Sequence, residues 1–192
     1  PEENQVEALI GYFSVPENRN NKDSRQIQLS FVKFPSTASK PGSPIVYLAG
    51  GPGGSATGTA KGRRFPLFMK LREVADVILF DLRGTGLSKN DLNNCEVEPP
   101  PLEQPSLADE VMQKTIADIK HCVKQWQQQG IDLDGYNTKE NAADLVALKE
   151  ALGADKINLW GISYGSHLAF ATVKYHSDII DKMALASLEG LD

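Results

Sequence analysis

The strongest chemical pattern in this chain is the run GISYG at residues 161–165, with a serine at its centre. The mostly apolar residues 156–160 predict a short buried strand, and the small and apolar residues 166–175 predict a helix. A serine at a sharp turn from strand to helix holds its hydroxyl above the sheet edge, as a nucleophile for acyl transfer requires. Glycines on both sides permit the tight backbone. The pattern predicts Ser163 as a catalytic nucleophile; an ordinary turn serine is the alternative.

A second pattern is the glycine-rich run GGPGG at residues 50–54, directly after a segment, 44–49, that predicts a buried strand. Glycines there let the main chain approach a ligand closely and aim N–H groups at it. One interpretation is half of an oxyanion hole, which stabilises the negative charge that develops on a carbonyl oxygen.

A dinucleotide-binding loop is the rival interpretation, because Gly51, Gly53 and Ala56 satisfy the G-x-G-x-x-A fingerprint. Asp81 also ends the next predicted strand, where a residue that binds ribose would lie. Against this, Pro52 removes an amide from the turn. The loop also follows a β-meander, whereas a dinucleotide-binding loop belongs to the first strand–helix unit of its fold. The serine pattern would also stay unexplained. We therefore expect no cofactor.

Residues 81–88 (DLRGTGLS) pass from a strand end into a glycine-rich turn. Asp81 and Arg83 allow two interpretations: contact with a substrate, or a structural pair that shapes the loops around the site. The structural pair is favoured. Ser88 is interpreted as a turn or capping hydroxyl.

Strand-like and helix-like segments alternate along the chain after two initial strands at 8–15 and 26–34. The further predicted strands are 44–49, 77–80, 156–160 and 183–188, and the predicted helices are 65–73, 107–129, 138–152 and 166–175. Thr138 is the expected N-cap of the helix at 138–152, and Gly153 is its stop. The alternation predicts an α/β fold with a mostly parallel sheet covered on both faces, in a single domain over residues 1–192.

Charge and hydropathy narrow the function classes. The net charge is −5 and the basic residues are scattered, so nothing indicates a nucleic-acid partner. No apolar run approaches the length that would span a bilayer, so no membrane partner is expected. The chain begins at Pro1, so the lack of a visible leader says little about its compartment.

Cys95 and Cys122 are the two cysteines of the chain. Their spacing fits neither a C-x-x-C pair nor a metal-ligand cluster, so no metal site is predicted. The favoured interpretation is a disulfide that pins the irregular segment 90–105 to the helix beneath it; two unpaired buried thiols are the alternative. A disulfide favours a periplasmic or secreted protein over a cytoplasmic one.

Four blocks of the sequence resemble the branch of the α/β hydrolases that contains prolyl iminopeptidases and tripeptidyl-aminopeptidase-like serine peptidases. They are residues 15–19 (VPENR), 50–55 (GGPGGS), 81–88 and 161–165, in the family's order. Residues 130–138 (GIDLDGYNT) are similar to the tripeptidyl-aminopeptidase-like subgroup. The resemblance implies an α/β-hydrolase core in which the strand before the glycine loop lies beside the strand before Ser163.

The resemblance also implies an activity, a serine aminopeptidase that releases an N-terminal residue or short peptide through an acyl-enzyme on Ser163. The main-chain N–H groups of Tyr164 and Gly51 would form the oxyanion hole. Further contacts with the peptide substrate are expected from Gly50, Pro52 and Gly53. Two alternatives stay open: an esterase-type hydrolase, and a catalytically inactive binding protein with this fold.

Glu189 lies at the tip of the last predicted strand, close to the expected site. Two interpretations stay open for it, contact with a substrate amine and an ordinary loop carboxylate, of which the second is favoured.

The acid and the histidine of a serine triad are not assigned. In this family both follow the serine on later strands, whereas no histidine follows His176. Three aspartates follow the serine too closely to be the acid: Asp178, Asp181 and Asp192. The histidines are interpreted as structural or exposed: His121, His167 and His176.

We therefore expect the chain to be the N-terminal half of a hydrolase core that ends with the strand after the nucleophile helix. The lid and the C-terminal strands would be absent from it. The remaining half of the same protein would be its partner, and this chain alone would be almost inert.

Overall fold

A computed structural model describes residues 6–89, 92, 95 and 108–191 of the chain. The strands are β1 (Leu9–Pro16), β2 (Gln26–Phe34), β3 (Gly42–Leu48), β4 (Ala75–Asp81), β5 (Ile157–Ile162) and β6 (Ile180–Ala186). The helices are α1 (Ala56–Thr59), α2 (Phe65–Leu71), α3 (Ala108–Gln128), α4 (Thr138–Ala151) and α5 (Tyr164–His176). Short 3-10 turns lie at Gly86–Ser88, Leu133–Gly135 and Ser177–Ile179.

The strands of the described residues form one sheet in the order β1-β2-β4-β3-β5-β6. β2 pairs antiparallel with β1 and with β4, whereas β4, β3, β5 and β6 run parallel to one another. Parallel neighbours need crossover connections, and the helices supply them. The predicted α/β fold with a mostly parallel sheet is confirmed, with β1 and β2 as an antiparallel edge.

The position of β3 in the sheet determines where the two glycine-rich turns lie. β3 pairs with β4, the next strand along the chain, on one side and with β5 on the other side. Leu48 and Gly161 are partners in the ladder, so β3 and β5 end level with each other. The loops that follow them emerge side by side, at the kind of reversal where α/β proteins bind ligands. The expected neighbourhood of these two strands is confirmed.

Apolar side chains pack against both faces of the sheet. On one face, Leu145 of α4 and Leu168 of α5 belong to a cluster with residues of all six strands. On the other face, the ring of Phe68 in α2 packs against Tyr47 and Trp160, with centroids 5.2 and 5.5 Å away. A strand that is covered on both faces has a nearly continuous run of apolar residues in its sequence, as the buried strand β4 does.

The start of α4 differs from the prediction by one residue. Asn137 caps this helix instead of Thr138, because its side chain accepts a hydrogen bond from the N–H of Glu140 at 2.9 Å. Both residue types are good N-caps, so two neighbouring candidates are not separable from sequence. Gly153 follows the helix with φ of 63°, as expected of a helix stop.

The last strand begins and ends earlier than predicted, at Ile180–Ala186 instead of 183–188. Asp181 and Lys182 hide its start, because polar residues interrupt the apolar pattern of a strand that is exposed at the sheet edge. Ser187 ends it, since its left-handed φ of 51° is incompatible with an extended strand.

Cys95 and Cys122 form a disulfide with an S–S distance of 1.97 Å, which confirms the predicted pair. The bond attaches residue 95 to α3. The remainder of the predicted irregular segment 90–105, apart from residue 92, lies outside the described residues, as do residue 107 and Asp192. No helix in the described part of the chain combines the length and apolar character needed to cross a membrane.

Candidate active site

Ser163 joins β5 to α5 in a backbone conformation that few non-glycine residues adopt, with φ of 55° and ψ of −125°. Its N–H donates to the carbonyl oxygen of Ala186, at the end of β6, at 3.1 Å. Its carbonyl oxygen accepts hydrogen bonds from the N–H and the hydroxyl of Ser166, both at 2.7 Å. Strained backbone of this kind persists only where the surroundings impose it, and it clusters at functional sites. Ser163 is only partly buried, so a substrate can reach it.

The two glycines of the GISYG turn permit its close packing. A Cβ at Gly165 would lie 2.2 Å from the carbonyl oxygen of Leu48, and one at Gly161 would lie 2.5 Å from the carbonyl oxygen of Gly165. Only glycine leaves room for such contacts. As a result, α5 begins directly against the end of β3, and the loop after β3 starts beside Ser163.

The glycine-rich loop after β3 touches the side chain of Ser163. A Cβ at Gly50 would lie 3.0 Å from the Ser163 Cβ and 3.4 Å from its Oγ. Gly51 and Gly53 have φ of 133° and 100°, in the region that favours glycine. The N–H of Gly54 donates to the carbonyl oxygen of Gly50 at 3.1 Å, which closes the loop.

Two main-chain amides beside Ser163, those of Tyr164 and Gly51, have no acceptor among the described residues. Tyr164 is the first residue of α5, so its N–H lies outside the helix's own hydrogen bonds, at the end that favours negative charge. Gly51 follows Gly50, which abuts the serine side chain. The structure thus brings the predicted pair of donors to the same end of the sheet as the hydroxyl.

The carboxylate of Glu189 is the direct partner of the Ser163 hydroxyl, which donates to its Oε1 at 2.6 Å. Two contacts with α5 hold the loop that carries Glu189. The Glu189 N–H donates to the Ser166 hydroxyl at 2.9 Å, and the Gly190 carbonyl oxygen lies 2.8 Å from Nδ1 of His167. Of the residues considered from sequence, Glu189 is the one that contacts the nucleophile by its side chain.

No histidine among the described residues contacts Ser163. His167 lies one turn along α5, where its ring stacks on that of Tyr164 with centroids 5.5 Å apart. Asp181 lies at the opposite end of the sheet, where it accepts a hydrogen bond from the Ser43 hydroxyl at 3.1 Å. The contacts that the structure describes around Ser163 therefore include a carboxylate but no imidazole base.

A groove of about 960 Å³ opens beside the glycine-rich loop and Tyr164; we call it the Tyr164 groove. Its walls include Pro52, Gly53, Trp126, Tyr136, Thr138 and the Cys95–Cys122 disulfide. A size of this order and a mixed aromatic and polar lining are typical of small-molecule and peptide subsites. Within the described part of the chain, no cluster of three or more His, Cys, Asp or Glu side chains is placed to hold a metal ion.

Residues 43–191 match the family described as the alpha/beta hydrolase fold. The chain belongs to this family. The match includes the glycine-rich loop, the Ser163 turn and Glu189, so the whole site described above lies within the α/β-hydrolase segment.

Two curated relatives carry peptidase names. Serine protease Hip1 of Mycobacterium tuberculosis (strain ATCC 25618 / H37Rv) is 31% identical over 195 residues, which cover 95% of this chain and 36% of the relative. Tripeptidyl aminopeptidase of Streptomyces lividans is 28% identical over 193 residues, which cover 93% of this chain and 35% of the relative. This α/β-hydrolase chain therefore spans about a third of the length of these relatives.

Solved structures agree on the fold. An epoxide hydrolase from an endophytic Streptomyces superposes with a TM-score of 0.55 at 16% identity, covering 93% of this chain and 36% of the other. An alpha/beta hydrolase from Novosphingobium aromaticivorans DSM 12444 superposes with a TM-score of 0.55 at 17% identity, covering 94% of this chain and 44% of the other. At such identities the likeness concerns the α/β-hydrolase fold alone.

Asp81 and Arg83 are both buried and structural, but the predicted pair between them is wrong. The Asp81 carboxylate accepts hydrogen bonds from the hydroxyls of Ser55 and Thr57 and from the N–H of Leu87. It therefore joins the end of β4 to the start of α1, directly after the glycine-rich loop, and to the turn Gly86–Ser88.

Arg83 pairs instead with Asp144 of α4, through Nε and Nη2 at 2.7 Å each. Its Nη1 donates to the carbonyl oxygens of Glu17 and Gly135. Arg83 and Asp144 are 4% and 0% exposed, so a bidentate carboxylate is needed to compensate the buried guanidinium. Arg83 thereby fixes three segments around the Tyr164 groove.

Ser88 is a turn hydroxyl, as predicted. It donates to the carbonyl oxygen of Asp81 at 2.7 Å and accepts from the N–H of Ser30 at 2.8 Å. The bond to Ser30 also ties the turn to β2.

Glu17 holds together the segments behind the Tyr164 groove. Burial alone would raise the pKa of Glu17, but hydrogen bonds from the Arg25 guanidinium, the Asp132 N–H and the Tyr136 hydroxyl outweigh it. The pKa of Glu17 therefore lies below its ordinary value of 4.5. Burial, and the hydrogen bond to Glu17, raise the pKa of Tyr136, which stays a protonated donor in the groove wall.

Sequence reasoning missed Ser166 and Asp144. Ser166 resembles an ordinary small residue on a buried helix face, so nothing in the sequence distinguishes its role in holding Ser163 and Glu189. Asp144 has a detectable signal, because it is an acid between Ala142 and Leu145 on the buried face of α4, one turn after the buried Glu140. An acid in that setting indicates a buried basic partner elsewhere in the chain.

Proposed function

We propose that this chain carries the nucleophile and the oxyanion hole of a serine peptidase that acts at the N-terminal ends of peptides. The observation that carries the proposal is the Ser163 hydroxyl, raised on a strained turn between β5 and α5 beside the glycine-rich loop. Peptidase names among the curated relatives support the substrate class.

In the proposed reaction, Ser163 Oγ attacks the carbonyl carbon of the scissile amide, and the carbonyl oxygen takes up the negative charge. The N–H groups of Tyr164 and Gly51 donate to that oxygen, and each such donor contributes about 3–4 kcal/mol in comparable sites. Collapse of the tetrahedral intermediate breaks the C–N bond, the protonated amine leaves, and an acyl-enzyme remains on Ser163. Water then hydrolyses the ester and restores the hydroxyl.

Proton transfer in this scheme needs a base and an acid from outside the described site. We propose that the remaining part of the same protein supplies a histidine and its carboxylate, and that it is the partner of this chain. The length of the relatives, about three times that of the matched segment, supports this arrangement. The disulfide supports a periplasmic or secreted location, where thiols oxidise.

Labelling by a fluorophosphonate tests the nucleophile. The full-length protein is incubated with the probe beside Ser163→Ala and a control at an exposed serine, Ser177→Ala. We expect labelling and aminopeptidase activity in the unsubstituted protein and the control, and a loss of about 10⁴-fold or more in activity for Ser163→Ala. We expect residues 1–192 alone to be almost inert, for lack of a base.

Each contrary result points to a different alternative. Labelling of the full-length protein at another residue would contradict the nucleophile assignment. Hydrolysis of esters without any hydrolysis of aminoacyl or tripeptidyl amides would favour an esterase. Absence of both labelling and hydrolysis in the full-length protein would favour a catalytically inactive binding protein.

A further inference from the structure

We propose that Glu189 binds the α-ammonium group of the substrate, and that its position beside Ser163 makes the enzyme release one residue at a time. The inference rests on the proposed peptidase function and names its substrate class, peptides with a free amine on the residue that carries the scissile carbonyl. It starts from the contact of Glu189 Oε1 with Ser163 Oγ at 2.6 Å.

The carboxylate is available to a cation. Glu189 is exposed, and among the described residues no basic side chain forms an ion pair with it. Its described polar partner is the Ser163 hydroxyl, a neutral donor. The hydrogen bond of an ammonium group with a carboxylate joins two opposite charges, whereas the serine hydroxyl is a neutral donor, so a substrate amine would replace the serine at Oε1.

The loop that carries the carboxylate is held in place at several points. The Glu189 N–H donates to Ser166 Oγ, and Ser166 is fully buried and also bonds the Ser163 carbonyl oxygen. His167 Nδ1 contacts the carbonyl oxygen of Gly190 at 2.8 Å. Ser187 holds the left-handed φ of 51° that turns the chain out of β6. The nucleophile and the carboxylate are therefore positioned by the same helix.

The short distance determines how long a leaving segment fits. The attacked carbon must come within about 3–3.5 Å of Ser163 Oγ. In a substrate that loses one residue, the ammonium nitrogen lies on the carbon next to that carbonyl, within reach of a carboxylate at 2.6 Å from Oγ. In a substrate that loses three residues, the ammonium lies two residues further away, about 7 Å along an extended chain. Glu189 therefore favours single-residue release.

Binding of the amine also frees the nucleophile. While the Ser163 hydroxyl donates its hydrogen bond to Glu189, that hydrogen is not free for a general base. An ammonium that occupies Oε1 releases that hydroxyl, which can then donate to the general base of the complete protein. A substrate without the amine would leave the serine bound to Glu189, so blocked peptides should react slowly.

The experiment compares three p-nitroanilides with the full-length protein: an aminoacyl substrate, its N-acetylated form and a tripeptidyl substrate. We expect kcat/KM to be highest for the free aminoacyl substrate. In Glu189→Gln, which keeps size but removes charge, we expect the preference for the free over the acetylated amine to fall about 10- to 100-fold. Glu189→Asp should recover part of the preference, and Glu150→Gln, at an exposed position of α4, is the matched control.

Fluorophosphonate labelling of the same variants separates the possible failures. If the unsubstituted protein is not labelled at Ser163, the proposed function itself is wrong. If labelling is intact but the tripeptidyl substrate is preferred, or if Glu189→Gln slows free and acetylated substrates equally, only the role of Glu189 is overturned. Loss of labelling in Glu189→Gln but not in Glu150→Gln would assign Glu189 to the integrity of the turn and would also overturn the proposal.

Discussion

At the residue scale, the site depends on a serine that is held in an unfavourable backbone conformation. A non-glycine residue at positive φ costs on the order of 1–3 kcal/mol. At Ser163 this cost is offset by hydrogen bonds to Ala186 and from Ser166, and by glycines that let α5 approach β3. The hydroxyl is therefore placed before any substrate arrives, which is what preorganised catalysis requires.

Gly165→Ala tests that close approach. The new Cβ would lie 2.2 Å from the Leu48 carbonyl oxygen, so backbone must move, and we expect the free energy of unfolding to fall by about 1–3 kcal/mol or more. Urea denaturation measures the difference. Gly42→Ala is the matched control, because its Cβ would lie 3.6 Å from the nearest atom, the Val74 carbonyl oxygen, an ordinary contact. Equal losses in the two variants would contradict the packing argument.

At the element scale, buried charges join segments that are distant in sequence. Arg83 links the loop after β4 to α4 through Asp144. Glu17, directly after β1, links Arg25 before β2 with the segment that contains Asp132 and Tyr136. The loop after β4, α4 and the segment with Tyr136 line the Tyr164 groove, so these ionic contacts hold in place the wall that a substrate would meet.

The depressed pKa of Glu17 predicts a stability that depends on pH. An acid with a lowered pKa in the folded state stabilises that state fully above its ordinary pKa, which is 4.5 here, and the stabilisation is lost as the pH falls through the folded value. We expect the gap in unfolding free energy between the unsubstituted protein and Glu17→Gln to be largest around pH 7 and to shrink on acidification below 4.5.

Denaturant titrations over a pH series measure this gap. Glu150→Gln, at an exposed position, reports the background effect of removing one negative charge. A gap between the unsubstituted protein and Glu17→Gln that stays constant through the acid range would show that the carboxylate is not the source of the stabilisation.

At the scale of the whole molecule, the α/β sheet and the disulfide act together on the site. The sheet order brings the loops after β3, β5 and β6 to one end, where Gly50 and Glu189 lie beside Ser163. The Cys95–Cys122 bond lies in the wall of the Tyr164 groove and attaches residue 95 to α3. The groove is therefore closed on one side by a covalent link.

Removal of this link should lower the stability of the chain. The cysteines are 27 residues apart, and closing a loop of that size restricts the unfolded chain by about 3–4 kcal/mol. We expect the free energy of unfolding of the Cys95→Ser, Cys122→Ser double variant to be lower by about this amount. The unsubstituted protein, measured with and without a reducing agent, is the control. A double variant as stable as the oxidised protein would contradict the predicted effect.

Features set by neighbours along the chain were predictable from the sequence. Alternation of apolar strands and helices predicted the α/β fold, the GISYG pattern predicted the turn that carries Ser163, and Gly153 marked the end of α4. Each depends on backbone freedom or on periodicity within a few residues, so the local sequence contains the information. The cysteine pair was predictable because the sequence contains two cysteines, so each has one possible partner.

Contacts between distant residues were decided only by the tertiary structure. Arg83 meets Asp144, 61 residues away, and Ser163 meets Glu189, 26 residues away. Neither pair follows from periodicity, because each depends on the order and register of the strands and on which helix covers which face. The sequence by itself determined which residues were able to do chemistry, and the pairing of β3, β5 and β6 decided which of them came within hydrogen-bonding distance, since only a folded sheet brings separate strand ends together.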